Sequence, residues 1–122
     1  MRIAAAVVVA LVALLHVYIL VLEMFLWRTP RARAAFGTTA EFAEESVALA
    51  GNQGLYNGFL AAGLAVSLVA GTGTDVGFAF ALFFLLCVAV AGFYGAATVS
   101  RRILLVQTVP AAIGIAMLLL AR

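Results

Sequence analysis

Two ionisable side chains stand inside a long apolar stretch near the start of the chain. The segment LLHVYILVLEMFLWRTPRARAAFG, residues 14–37, carries His16 and Glu23 seven positions apart and ends in three arginines. An imidazole and a carboxyl can serve as an acid/base pair, or as pH-sensitive polar contacts to a ligand. Burying an unpaired charge is costly, so the elements that hold these two groups decide what they can do.

The composition indicates an integral membrane protein. The chain has 122 residues, of which 67% are hydrophobic and 10% charged, and its mean hydropathy is +1.25. Soluble domains are only about half apolar. The net charge of +2 is too small to indicate nucleic-acid binding, because the arginines cluster at the ends of apolar runs.

Four apolar segments are long enough to be spans, and together they predict one domain over residues 1–122. They cover residues 3–27, 53–70, 76–100 and 103–121. The first, as a helix, reaches about 37 Å and can cross a hydrocarbon core of about 30 Å. The sequences GTGTD and SRR are short enough to force tight antiparallel turns. The predicted fold is therefore all-α, an integral membrane four-helix bundle with tight hairpin turns.

Basic residues near the span ends predict the orientation. Five arginines fall on one side of the predicted membrane and two on the other, namely Arg28, Arg31, Arg33, Arg101 and Arg102 against Arg2 and Arg122. The side richer in arginine is expected to be cytoplasmic, so both termini lie outside. The longer loop, 28–52, is then cytoplasmic and is predicted to carry a short interfacial helix, with a capping-box spacing from Thr38 to Glu41.

His16 and Glu23 share one face of the first predicted span. At about 100° per residue they point within roughly 20° of each other, and that face must meet protein because an acid facing lipid is unfavourable. Counting inward from the cytoplasmic ends finds polar residues at a similar depth in the other spans. The predicted ligand-binding set is Glu23, His16, Asn57, Gln107, Tyr94 and Trp27.

Each of these residues also has a purely structural interpretation. Amides and hydroxyls within spans are common interhelical hydrogen-bonding groups, and Trp27 near a span end is typical of an interfacial anchor. Glu23 could pair with Arg28 at the membrane surface. Small residues such as Gly92 and Gly95 could bring the helices close together or could form a homodimer face.

Two stretches carry a family resemblance. HVYILVLEMFLW and NQGLYNGFLAAGL resemble the signature stretches of a family of small bacterial membrane proteins known as Domain of Unknown Function 1304. The matching positions are His16, Glu23, Trp27, Asn52, Gln53, Tyr56 and Asn57. The resemblance implies a four-span fold in the bacterial cytoplasmic (inner) membrane, and it implies no established activity.

Three classes of function remain. The first is a module that binds or transports a small hydrophobic or weakly polar ligand at the polar site. The second is a membrane-embedded acid/base enzyme acting on a lipid-soluble substrate, and the third is an accessory subunit of a larger membrane complex.

The chain has no nucleotide-binding loop, no clustered metal ligands and no Ser/His/Asp triad with plausible spacing, which disfavours the enzyme. No cofactor and no metal is expected. The expected partners are membrane lipid, a hydrophobic small molecule and a second copy of the chain.

Overall fold

The structure is a computed structural model that describes residues 1–122, and it is all-helical. Its helices are α1 (Arg2–Met24), α2 (Pro30–Phe36), α3 (Ala40–Glu45), α4 (Val47–Ala70), α5 (Asp75–Thr98) and α6 (Val109–Leu120), with a π-helical segment, Leu104–Thr108, directly before α6. Helices α1, α4 and α5 are long and apolar enough to cross a membrane, and Leu104–Leu120 forms a shorter apolar helix. The all-α prediction is confirmed.

Two compact units make up the chain. The first unit contains Met1–Leu14 and Leu60–Arg122, and the second unit contains Leu15–Phe59. Each unit therefore includes part of α1 and part of α4.

The core of the first unit draws residues from four helices. Val9 and Val12 of α1, Leu64 of α4, Leu85 of α5 and Leu118 of α6 belong to one buried apolar cluster. The buried residues of α5 recur every three or four positions, as Gly77, Ala81, Leu85, Val88 and Gly92. This spacing keeps one face of the helix toward the core.

A tight turn joins α4 to α5 in the first unit. Gly71 adopts a left-handed φ of 85°, which a glycine reaches without steric penalty. Thr74 then caps α5, because its Oγ1 accepts a hydrogen bond from the Gly77 backbone N–H at 3.0 Å. The predicted tight connection at GTGTD thus has a cap at its end.

Pro110 explains the π-helical segment in the first unit. A proline has no N–H, so the carbonyl of Val106 loses its usual partner four residues later. The backbone instead widens, and the N–H of Val109 donates to the carbonyl of Leu104. Thr108 Oγ1 donates to the carbonyl of Ala89 on α5 at 3.2 Å, which ties this segment to its neighbour.

The second unit contains two short helices where one was predicted. Thr29 caps α2 and Thr39 caps α3, through hydrogen bonds from the N–H groups of Ala32 and Phe42. The predicted cap at Thr38 is wrong by one residue, because Thr38 continues the turn that closes α2 after Gly37.

The bounds of two long helices also differ from the predicted spans. Helix α1 ends at Met24, and the N–H of Leu26 donates back to the carbonyl of Val21 at 3.2 Å. Pro30 is the first residue of α2. Helix α4 begins at Val47, well before the predicted start at 53.

Candidate functional site

Glu23, which is buried, and Asn57, which is half-buried, form a polar pair in the second unit. Glu23 lies in the last turn of α1 and is 8% exposed. Asn57 lies on α4, and its Nδ2 donates a hydrogen bond to Glu23 Oε1 at 2.6 Å. A hydrogen bond to a carboxylate is stronger than one between neutral groups, so this pair is a specific link between the two helices.

Two glycines allow α4 to approach α1 beside this pair. A Cβ at Gly54 would lie 3.1 Å from Glu23 Cβ and 3.2 Å from the carbonyl oxygen of Leu20. A Cβ at Gly58, one turn later, would lie 2.7 Å from Leu20 Cδ1. Only glycine fits at Gly54 without moving the α1 backbone, and this proximity lets the short Asn57 side chain reach the carboxyl.

Asn57 makes a second hydrogen bond within α4. Its Nδ2 also donates to the backbone carbonyl of Gln53 at 3.1 Å. Both donor hydrogens of the amide are therefore used, while Glu23 accepts through Oε1 alone. The atoms left for another partner are Glu23 Oε2 and Asn57 Oδ1.

His16 is on α1 in the second unit and is fully buried, at 0% exposed. It precedes Glu23 by seven residues, a rise of about 10 Å along the helix. The two side chains thus share a face of α1 but lie too far apart to contact one reacting atom.

Trp27 is a core residue of the second unit. It is 9% exposed, its Nε1 donates to Ser46 Oγ at 3.0 Å, and its ring centroid lies 4.9 Å from that of Phe36. Ala43 and Ala50 complete the cluster. The interfacial-anchor interpretation of Trp27 does not fit this packing, because α2 and α3 cover the indole.

A cavity of about 320 Å³ lies where α1 ends. Its volume is at the lower end of the range for small-molecule sites, about 300 to 1,000 Å³. The lining combines the last residue of α1, the connection to α2 and the first residue of α4, as Met24, Phe25, Leu26, Trp27, Arg28, Thr29 and Val47. Trp27 therefore both packs in the core and borders this space.

Two arginines of the second unit already have partners. Arg28 Nη1 forms an ion pair with Glu44 Oε1 at 3.1 Å. Arg31 Nε donates to the Tyr18 hydroxyl at 3.0 Å. Arg28 thus pairs with an acid of α3, and the alternative in which it pairs with Glu23 at the surface does not occur.

Tyr94 and Gln107 belong to the first unit. Tyr94 is 73% exposed, so its ring points away from that unit's core, and its backbone carbonyl accepts from Thr98 Oγ1 at 2.7 Å. Gln107 is half-buried in the π-helical segment, next to Gly92 of α5. No hydrogen bond joins either side chain to another residue of the first unit.

Of the six predicted site residues, Glu23 and Asn57 are the pair joined by a hydrogen bond. Gly54 and Ser46 are contributors that sequence reasoning missed. A signal for the first existed, since Gly54 and Gly58 have the four-residue spacing of close helix contacts. No group of three or more His, Cys, Asp or Glu side chains is suited to hold a metal ion.

Comparison with known proteins identifies one family. The family model "Protein of unknown function (DUF1304)" matches residues 10–119. No curated protein and no solved structure matches the chain.

Proposed function

Since the chain belongs to the DUF1304 family, whose description gives no activity, we propose from its own geometry that it is an integral membrane protein that binds a small hydrophobic or weakly polar ligand. The binding site is the Glu23–Asn57 pair. The observation that carries this proposal is a carboxyl buried in an apolar helix with one of its two oxygens still open to a partner.

The proposal that the chain is inserted in a membrane is supported by its long apolar helices and by the apolar side chains exposed on their surfaces. Helices α1, α4 and α5 satisfy the length and composition of a span. Large apolar side chains on them are exposed in each unit, including Leu11, Leu14, Phe59, Phe83 and Phe93. Such surfaces are unfavourable in water and favourable in lipid.

The arginine distribution supports a cytoplasmic location for the loop of the second unit. We propose a bacterial inner-membrane protein with both termini outside, because basic residues are retained on the cytoplasmic side.

Cysteine labelling tests this topology. Cys87 is the single native cysteine, so it is first replaced by alanine. A cysteine at Gly73 should then react from outside with a reagent that cannot cross the membrane, and a cysteine at Arg33 only after the cells are opened. The reverse pattern would overturn the orientation.

Binding explains the Glu23–Asn57 geometry better than acid/base catalysis does. Acid/base catalysis by His16 and Glu23 would require both groups to reach protons on one substrate, and the helix holds them about 10 Å apart. Binding requires only that a ligand reach the open acceptors of Glu23 and Asn57.

The ligand can be sought by purifying the protein together with its surrounding native lipids. Small molecules extracted from wild type, Glu23→Gln and Glu45→Gln are compared by mass spectrometry. Glu45 is an exposed acid on α3 and forms no ion pair, so it is the matched control. We expect one molecule to be present in wild type and Glu45→Gln and depleted in Glu23→Gln. Identical extracts from all three would refute the proposal.

A further inference from the structure

The hydrogen bonds of Asn57 determine which kind of ligand group can bind beside it. Its Nδ2 faces two acceptors, the Glu23 carboxyl and the Gln53 carbonyl, at 2.6 and 3.1 Å. The reversed amide orientation would set an oxygen against both of them, so the hydrogen bonds fix the orientation. Asn57 Oδ1 and Glu23 Oε2 remain, and when the carboxyl is ionised both are acceptors only.

No arginine of the second unit forms an ion pair with Glu23. The chain has two ion pairs, Arg28 with Glu44 and Arg122 with Asp75, and neither involves Glu23. A buried ionised carboxylate requires a cation or several donors, because an apolar environment solvates it poorly. An ionised Glu23 would therefore be stabilised by a ligand that supplies a positive charge and donor hydrogens for Glu23 Oε2 and Asn57 Oδ1.

The walls of the site are apolar. Leu20 and Met24 contact the face of α4 that carries Gly54 and Gly58. Met24 also lines the cavity of about 320 Å³ at the end of α1. Neither Glu23 nor Asn57 lines this cavity, but Met24, the residue after Glu23, does, and the indole of Trp27 borders it as well.

We infer that the ligand is an amphiphilic ammonium, a protonated primary or secondary amine with an apolar chain, whose N–H groups donate to Glu23 Oε2 and Asn57 Oδ1. This inference rests on the proposed function and specifies its ligand class. A primary ammonium supplies both the charge and the donors. A quaternary ammonium supplies only the charge, an alcohol only one donor, and a carboxylate would be repelled.

Intrinsic fluorescence can test the inference, because Trp27 is the only tryptophan in the chain. The full chain in lipid nanodiscs is titrated with octylammonium, octyltrimethylammonium, octanol and octanoate while Trp27 emission is followed. We expect octylammonium to saturate with a Kd about tenfold or more below those of octanol and octyltrimethylammonium. Octanoate should give no saturable change.

Variants separate charge recognition from nonspecific partition into lipid. Glu23→Gln should raise the Kd of octylammonium about tenfold or more and leave that of octanol nearly unchanged. Glu45→Gln should match wild type. Glu23→Asp, which keeps the charge on a shorter side chain, should weaken octylammonium less than Glu23→Gln does, and the wild-type ligand series is informative even if a variant fails to fold.

The possible failures are distinguishable. If all four amphiphiles saturate alike, or if Glu23→Gln binds octylammonium as wild type does, the ammonium inference is wrong and the proposed binding function stands. If none of the four saturates and the extracts of wild type and Glu23→Gln are identical, both are wrong.

Discussion

Replacing both members of the Glu23–Asn57 pair distinguishes a binding site from a structural hydrogen bond. The chosen changes are Glu23→Met and Asn57→Leu, which roughly conserve side-chain volume and remove polarity. If the pair exists to hold α1 and α4 together, the double variant should be clearly less stable than wild type. If it exists for a ligand, an apolar contact should serve the fold equally well or better.

The hydrogen bonds of the pair determine the expected changes in the free energy of unfolding. Asn57→Leu removes the 2.6 Å donor to Glu23 Oε1 and leaves the carboxyl buried, at a cost of about 1.5 to 3 kcal/mol. Glu23→Met leaves an amide that still donates to the Gln53 carbonyl, so its cost is about 1 kcal/mol or less. The double variant leaves no unsatisfied buried group at the contact, and we expect its free energy of unfolding to lie within about 1 kcal/mol of wild type.

The assay is a double-mutant cycle of reversible unfolding in mixed detergent and lipid micelles, followed by circular dichroism. The expected coupling, the difference between the double change and the sum of the singles, is about 1 to 4 kcal/mol in favour of the double variant. A double variant less stable than wild type by clearly more than about 1 kcal/mol would refute this reasoning and favour the structural interpretation, whatever the size of the coupling.

Four further substitutions test the packing of α4 and of the second unit's core. Gly51→Ala should stabilise the protein by up to about 1 kcal/mol, because no atom lies within 4 Å of the added methyl group. Gly63→Ala in the same helix should destabilise it by about 1 to 3 kcal/mol, because the added methyl overlaps the Phe84 ring. The thermal unfolding temperatures of the two variants should therefore shift in opposite directions. Trp27→Phe keeps a six-membered aromatic ring but loses the pyrrole N–H and its 3.0 Å bond to Ser46, so it should cost about 1 kcal/mol or more. If that bond is the cause, Ser46→Ala should cost less in the Trp27→Phe background than in wild type, because only the bond from Ser46 Oγ to the Phe42 carbonyl is then left to lose.

The long helices could be predicted from the sequence because each contains an apolar run long enough to cross a membrane as a helix. Helix α5 was predicted within two residues at each end, at 76–100 against Asp75–Thr98. The start of α4 was missed by six residues, at 53 against Val47. The segment SVALAGNQG mixes polar residues with two glycines, so apolar composition gives no signal there even though the backbone is helical.

The polar pair could be predicted in part, because helical periodicity sets both the face and the depth of a side chain. Glu23 and Asn57 each lie about one turn from the end of a predicted span, and the structure joins them by a hydrogen bond. Trp27 could not be predicted in this way. Its burial depends on α2 and α3 folding back over it, and the loop sequence shows two caps but not where the capped helices pack.

Pro110 is a backbone feature whose local effect can be predicted from the sequence but whose packing cannot. Its missing N–H predicts a free carbonyl and a kink near Gln107, because the sequence alone shows that one backbone hydrogen bond is lost. How the helix accommodates the loss depends on its neighbour. Within the π-helical segment, Thr108 Oγ1 donates to the Ala89 carbonyl of α5.

Two glycines and a buried carboxyl coincide at one point of the second unit. Gly54 and Gly58 each lower the intrinsic helix stability of α4 by about 1 kcal/mol relative to alanine. Glu23, in the adjoining turn of α1, adds the desolvation of a carboxyl that Asn57 offsets at only one oxygen. Glycines also face the core of the first unit, at Gly77 and Gly92 of α5, but no carboxyl is buried beside them. Residues that each cost stability, and that lie together in one contact, are typical of sites that bind a ligand.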